Sequence, residues 1–173
     1  NGSIVQGKYV VRLDKPKFFT DRKLAVMDWD NVNLSTPQLL KFKTENGHAE
    51  DPRCFEFNGR PALVFTDGGK MYFGYIDTAE CWQMKPPASR PKDHDGREKN
   101  WSPFVYDGRL HVLYAPGHVV EYDLGQPVAE YQTEIPTLTR GHIRGGTQLV
   151  EHGGKLYTIF HVRQRVNAIN LYW

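Results

Sequence analysis

Four stretches of the chain share one pattern: a short apolar run, a turn that contains glycine, and a second apolar run that alternates with polar residues. They are residues 3–11, 54–65, 104–114 and 148–160. Side chains alternate between the two faces of a strand, so Leu110 and Val112 share one face and His111 lies on the other. Each stretch therefore predicts two antiparallel strands joined by a tight turn.

The four turns recur at similar spacing, and their glycines are separated by 52, 49 and 46 residues: Gly7, Gly59, Gly108 and Gly154. Asn-Gly, Asp-Gly and Gly-Gly pairs supply the positive φ that type I′ hairpin turns require. Further strands are predicted at 24–28, 71–76 and 119–124. A period of about 50 residues with three or four strands is typical of β-propeller blades.

The repeat divides a single all-β domain into units 1–48, 49–98, 99–142 and 143–173, or about three and a half four-stranded antiparallel blades. Residues 86–96 form a polar loop between units, and no segment has a helical period. An antiparallel sandwich of unrelated hairpins is the alternative. Because propellers typically have four to eight blades, we expect either a fragment of a longer protein, which we favour, or another chain that supplies the missing blades.

The charge and the apolar content of the chain argue against two classes of partner, nucleic acids and membranes. The net charge is +2, and basic residues are scattered among acidic ones, which argues against nucleic-acid binding. No apolar run approaches the roughly 18 residues of a membrane span. The sequence predicts a soluble protein and leaves open whether it is cytoplasmic or secreted. Cys54 and Cys81 lack metal-ligand spacing, so we expect two buried thiols, with a single disulfide as the alternative.

Polar residues cluster just before the first strand of each unit. Because the first strand of every propeller blade lines the central channel, these residues are expected to converge on one pocket. A histidine follows the second strand of the last unit. The candidate residues are Glu50, Asp51, Arg53, Lys99, Asn100, Trp101, Arg144 and His161.

Carboxylates beside cationic and amide donors suit a sugar ligand, because planar Arg and Asn groups can bind adjacent hydroxyls in a bidentate manner. Trp101 could stack on a pyranose face. A carboxylic acid can protonate a glycosidic oxygen while a second carboxylate or a phosphate completes the displacement. The pattern predicts no cofactor and no metal, with inorganic phosphate as a potential co-substrate of the cationic residues.

Each of these residues also has a structural interpretation. Glu50 and Asp51 could form ion pairs with Arg53 or cap a turn. Lys99 and Asn100 could be ordinary loop residues. The Arg144-Gly145-Gly146 segment could be a structural bulge, since glycine pairs permit unusual backbone angles. His161 could be a structural histidine.

The order of these motifs resembles glycoside hydrolase family 130. Residues 50–53 read Glu-Asp-Pro-Arg, like the signature of that family, and the segment beginning at Asn1-Gly2-Ser3 resembles the Asn-Pro-Ser opening of its first blade. The segments beginning at Lys99 and at Arg144 resemble later blade openings. The resemblance covers nearly the whole chain.

Members of that family are five-bladed propellers that cleave β-mannosides with phosphate or water. The resemblance implies that Asp51 is the general acid, with Glu50 beside it, and that the acid relays its proton through a sugar hydroxyl. It also implies that Arg53, Lys99, Asn100 and Arg144 bind sugar or phosphate. The sequence shows no fifth blade and no evident second catalytic carboxylate.

Three functions follow from these expectations. The first is a glycoside phosphorylase or hydrolase that acts on mannoside-like glycans. The second is a non-catalytic carbohydrate-binding propeller, or a structural propeller in a homo-oligomer or with a partner chain that completes the ring. The third is a Kelch-like interaction propeller, whose double-glycine pattern this sequence does not reproduce.

Overall fold

The computed structural model describes residues 2–14, 22–90, 96–134, 142–144, 146–166 and 169–172. Within these ranges the chain forms strands and turns and no helix. Three consecutive four-stranded antiparallel sheets account for most of the described chain. The predicted all-β architecture of blade-like sheets is confirmed.

Each sheet is a meander in which every strand pairs with the next. The first sheet contains β1 (Gly2–Val5), β2 (Lys8–Asp14), β3 (Arg22–Asp28) and β4 (Gln38–Leu39). The second contains β5 (Ala49–Phe57), β6 (Arg60–Asp67), β7 (Lys70–Tyr75) and β8 (Cys81–Met84). The third contains β9 (Ser102–Tyr106), β10 (Arg109–Ala115), β11 (His118–Asp123) and β12 (Gln126–Gln132).

The predicted glycine turns connect the first two strands of each sheet. Gly7, Gly59 and Gly108 have φ values of 68°, 71° and 70°, and the residue before each glycine also has positive φ. Two successive left-handed residues are the mark of a type I′ turn, whose twist matches that of the flanking strands. The turn prediction is confirmed, and the same backbone pattern recurs at Gly153 and Gly154.

The core lies in the two interfaces between the three sheets. Leu63 and Phe65 on β6 pack towards the first sheet, in a cluster with Val10 and Leu24. The alternate β6 residue Val64 packs towards the third sheet. The second sheet is therefore buried on both faces, which explains why β6 is almost continuously apolar.

The last part of the chain is arranged differently from the first three sheets. Its strands are β13 (His142–Arg144), β14 (Val150–His152), β15 (Lys155–Tyr157), β16 (His161–Val166) and β17 (Ile169–Tyr172). β14 and β15 form a separate two-stranded hairpin, while β16 pairs with both β13 and β17. A complete fourth sheet is thus not formed by the described residues.

Both cysteines carry free thiols. Cys54 is fully buried on β5, and this burial raises its pKa to about 12. Cys81 is half-buried, and burial raises its pKa as well. Neither thiol is poised to ionise near neutral pH, so both act as small apolar side chains.

Asp67 is a buried carboxylate that organises the chain entering β5. It accepts hydrogen bonds from the backbone amides of Asn46 (3.0 Å), Gly47 (3.1 Å) and His48 (2.8 Å). Burial disfavours the charged form, but hydrogen bonds from Thr44 and these amides outweigh burial and lower the pKa of Asp67. The carboxylate therefore fixes the loop that leads directly to the entrance of the second sheet.

Asp67→Asn is expected to lower the free energy of unfolding by roughly 1.5–3 kcal/mol near neutral pH, because charge-assisted hydrogen bonds are lost. A lowered pKa gives stabilisation that is complete above the ordinary value of 3.8 and is lost as the pH falls through the folded-state value. Urea titrations should therefore show a difference between wild type and variant that shrinks below about pH 4.

The control for this effect is Asp77→Asn, which removes an exposed carboxylate paired with Arg60 at 2.8 Å. The free energy of unfolding of that variant should fall by less than about 1 kcal/mol. A difference between Asp67→Asn and wild type that stays constant down to about pH 3 would contradict the assigned role of the Asp67 carboxylate.

Candidate functional site

The chain enters each sheet at the beginning of its first strand, and these beginnings lie close together in the three sheets. β1 lies against β5, and β5 lies against β9, so the first strands of the three sheets are neighbours. A cavity of about 400 Å³ opens between their beginnings and the fourth unit. Its described lining is Gly2, Ser3, Asp51, Pro52, Arg53, Asn100, Gly146, Thr147 and Gln148. All four repeat units contribute to this blade-entrance cavity.

Hydrogen bonds join the units around the cavity. Arg53 donates to the Ser102 hydroxyl at 3.0 Å, and Ser102 donates to the Thr147 carbonyl at 3.1 Å. The Ser3 hydroxyl accepts from the Cys54 amide at 2.8 Å and donates to Gln148. These contacts span 45 to 145 residues of sequence and hold the entrances in a fixed arrangement.

Asp51 and Asn100 occupy the same position in the repeat, eight residues before the turn glycines Gly59 and Gly108. Both have left-handed backbones, with φ values of 53° and 63°. Asp and Asn adopt this conformation more readily than most residues. The repeated geometry places a short polar residue of the second sheet and one of the third at the blade-entrance cavity, and Asp51 also lies within an irregularity of the β5–β6 register, between Glu50 and Arg53.

Glu50 lies in a second cavity, of about 470 Å³, which shares Asp51 with the first. Its carboxylate contacts Arg22 at 2.5 Å and Arg12 at 3.6 Å. Arg12 also lies 3.6 Å from the carboxylate of Asp51. Glu50 is thus neutralised by two guanidinium groups from the first sheet, Arg12 and Arg22, where the sequence predicted Arg53 as its partner. Lys99 lines the same second cavity.

Arg53 supplies the positive charge among the described lining residues of the blade-entrance cavity. Burial lowers the pKa of its guanidinium, and the nearby Asp51 carboxylate opposes that shift. A partly desolvated guanidinium interacts more strongly with a polar ligand than a fully solvated one. Asp51, Arg53 and Asn100 together present a carboxylate, a guanidinium and an amide to one cavity, which suits a ligand with several hydroxyl groups.

Trp101 does not belong to this site, which corrects the expectation that it stacks on a sugar. Its side chain is only 1% exposed and lies in the core between the second and third sheets. The indole packs against the rings of Tyr114 and Tyr122, with centroids 5.2 and 5.7 Å away, and donates to Glu98 at 3.3 Å. No ligand can reach either face of the ring in this position.

For Arg144 and His161 the structure describes the backbone and not the side chains. They are paired directly with each other between β13 and β16. Their side chains lie outside the part of the molecule that the structure describes, so their predicted binding roles remain predictions. The segment after Arg144 does reach the blade-entrance cavity through Gly146, Thr147 and Gln148.

Gln148 and Ser102 are site residues that the sequence interpretation missed. Both lie six residues before their turn glycine, which is the repeat position of Arg53. Gln148 donates to the Cys54 carbonyl and accepts from Ser3, so it links the fourth unit to the first two. Aligning the repeats on their turn glycines would have found both residues.

Within the described residues, no group of three or more His, Cys, Asp or Glu side chains has a geometry that could hold a metal ion. A search of the same ranges finds no helix with the length and apolar character needed to cross a membrane.

Comparison with known proteins yields no matching family model and no significant match among curated proteins. The geometry of the site therefore carries the functional argument.

Proposed function

We propose that the chain is part of a carbohydrate-active propeller that binds a mannoside-like glycan in the blade-entrance cavity and cleaves it by phosphorolysis. The observation that carries this proposal is that Asp51 supplies the one carboxylate among the described lining residues of the 400 Å³ cavity, which it shares with Arg53 and Asn100. The resemblance of residues 50–53 to the family 130 signature supports the same assignment.

The choice between phosphate and water rests on the number of available carboxylates. Direct glycoside hydrolysis uses two carboxyl groups, one as acid and one as base or nucleophile. Glu50 is paired with Arg12 and Arg22 and lines the adjacent cavity, so Asp51 alone faces the blade-entrance cavity among its described lining residues. Phosphorolysis needs one acid, because the phosphate itself is the nucleophile.

In this mechanism the proton of Asp51 passes to the glycosidic oxygen, directly or through a sugar hydroxyl, as the bond to the anomeric carbon breaks. A phosphate oxygen forms the new bond to that carbon, which yields a sugar 1-phosphate and a shortened glycan. Arg53 is the group in the cavity best suited to hold the phosphate, because guanidinium binds phosphate in a bidentate manner. Asn100 is placed to bind sugar hydroxyls.

Asp51→Asn is expected to lower turnover by at least about 100-fold, because the variant cannot donate a proton to the leaving oxygen. Product is measured as sugar 1-phosphate by ³¹P NMR, with β-linked mannobioses and inorganic phosphate as substrates. The matched control is Asp107→Asn, which makes the same substitution at a left-handed residue (φ 50°) in an exposed turn and should keep full activity. Wild-type turnover that survives in Asp51→Asn would refute the assigned acid.

A second candidate is a glycan-binding or structural propeller without catalysis, whose ring is completed by copies of the chain or by a partner. The pairing of Glu50 with two arginines favours it, because that carboxylate is already neutralised. It predicts calorimetric binding of mannobiose without any product in the ³¹P experiment. Light scattering would then show whether the binding species is larger than 19.9 kDa.

A further inference from the structure

The second and third sheets differ in how their faces are covered. The second sheet packs against a neighbour on both faces, whereas the third packs against the second sheet on one face. On its other face, here called the open face, the third sheet has a cavity of about 410 Å³. The cavity is lined by Phe104, Tyr106, Asp107, Arg109, His111, Val119, Glu121 and Tyr131.

The open face of the third sheet has the same repeat positions as the face of the second sheet that is buried against the third. Counted from the turn glycines, Phe104 and Tyr106 of β9 correspond to Phe55 and Phe57 of β5. Phe57 is partly buried because it packs against the core cluster shared with the third sheet, whereas its counterpart Tyr106 is 67% exposed. The cavity therefore lies where a following sheet would pack if the repeat continued.

The fourth unit is tethered where such a sheet would begin. Arg53 of the second sheet donates to Ser102 of the third, and Ser102 in turn donates to the carbonyl of Thr147. Thr147 is joined to Ile159 by two further hydrogen bonds: its amide donates to the Ile159 carbonyl at 2.9 Å, and its side-chain hydroxyl accepts from the Ile159 amide at 3.1 Å. These bonds close the base of the segment that carries the β14–β15 hairpin. A hydrogen bond thus joins the third sheet to the segment that carries the hairpin, as another joins the second sheet to the third.

One face of the hairpin carries a leucine at the repeat position whose counterpart in the third sheet packs on the second sheet. Leu156 corresponds in the repeat to Leu110, which is 2% exposed against the second sheet, yet Leu156 is 45% exposed. Glu151 pairs with Leu156 across the hairpin, so the two side chains share a face. Tyr157, the next residue on β15, points to the opposite face and is 53% exposed.

The charges on the two surfaces are complementary. Arg109 on the open face has a 65% exposed side chain and donates to Glu121 at 2.8 Å, which lowers the pKa of that buried carboxyl. Glu121 also accepts from the hydroxyl of Tyr131 at 3.0 Å. A guanidinium has five N–H donors, and the contact with Glu121 uses one of them, so the exposed remainder of the Arg109 group is a partner for the carboxylate of Glu151.

We infer that the open face of the third sheet is a docking surface for the β14–β15 hairpin of the same chain, which covers it as the third sheet covers the second. Leu156 would enter the cavity beside Val119, and Glu151 would approach Arg109. In the structure the residues from Val150 to Tyr157 are all exposed, so it shows the hairpin undocked. The inference does not depend on the proposed catalytic activity.

Substitutions on the two faces of β15 test this inference. Leu156→Asp should lower the thermal unfolding midpoint by about 5 °C or more, because it places a charge in the cavity. Tyr157→Asp, the matched control on the other face, should change the midpoint by less than about 2 °C. Equal effects of the two variants would overturn docking, since both side chains are similarly exposed in the undocked hairpin.

A double-mutant cycle of Val119→Ala with Leu156→Ala tests the contact without a disruptive charge. Non-additive changes in the urea midpoint would show that the two residues interact, and additive changes would overturn the proposal. Light scattering of the same variants shows whether the hairpin that covers the open face comes from the same chain or from a second copy. A dimer that Leu156→Asp dissociates would overturn intramolecular docking, because a second copy would then supply the hairpin.

Discussion

Replacement of Trp101 by alanine is expected to lower the free energy of unfolding by about 3–5 kcal/mol. The indole is 1% exposed and fills the interface between the second and third sheets, against Tyr114 and Tyr122. Its removal leaves a cavity between two sheets that are each held by their own hydrogen bonds and cannot collapse freely into the space. It also deletes the donor to Glu98, which is itself buried.

Urea unfolding monitored by circular dichroism measures this loss. Trp29→Ala is the matched control, because Trp29 is 36% exposed at the edge of the first sheet and should lose much less stability. If Trp101→Ala instead kept wild-type stability and lost affinity for mannobiose, Trp101 would be a sugar-binding residue and its placement in the core would be wrong.

The error over Trp101 has a physical origin. Polar neighbours on both sides, Asn100 and Ser102, made the residue look like part of an exposed loop. The left-handed backbone of Asn100 instead turns the chain just before β9, and the three residues that follow it, Trp101, Ser102 and Pro103, are all buried. The repeat shows the same arrangement one unit earlier, where Pro52 is buried next to Asp51.

The sheets themselves could be predicted because their signals are local. A type I′ turn needs two adjacent residues that tolerate positive φ, and the strands on either side need only alternate. Both signals recur at Gly59 and Gly108, and the structure reproduces the hairpins at each. The fourth unit has the same turn at Gly154 but only a short hairpin around it, because a turn does not specify what its strands pack against.

The candidate site could be predicted only in part, because it combines repeat positions with long-range contacts. Convergence of Asp51, Arg53 and Asn100 follows from their place near the start of the first strands, although Asp51 and Arg53 lie within β5 and not before it as the sequence predicted. The pairing of Glu50 with Arg12 and Arg22 joins residues 38 and 28 positions apart, and no local pattern marks those arginines. Such ion pairs depend on how the first sheet packs against the second, which the sequence pattern leaves undetermined.

Gly125→Ala is expected to lower the free energy of unfolding by about 2–5 kcal/mol, because it combines backbone strain with a steric clash. Gly125 is buried and has φ of 91° in the turn between β11 and β12, and an added Cβ would lie 2.5 Å from the carbonyl oxygen of Gln83. The turn cannot move away easily, because the Gly125 carbonyl accepts from the Lys85 amide at 2.8 Å.

The two contributions can be separated with Gly108→Ala. Gly108 is also left-handed, with φ of 70°, but an added Cβ there meets no atom within 4 Å. In that variant only backbone strain should lower the free energy of unfolding, by about 1–2 kcal/mol. The additional loss in Gly125→Ala then measures the contact between β8 and the third sheet. Equal losses in urea unfolding would mean that the second and third sheets do not approach closely at Gln83, which would contradict the packing that encloses Trp101.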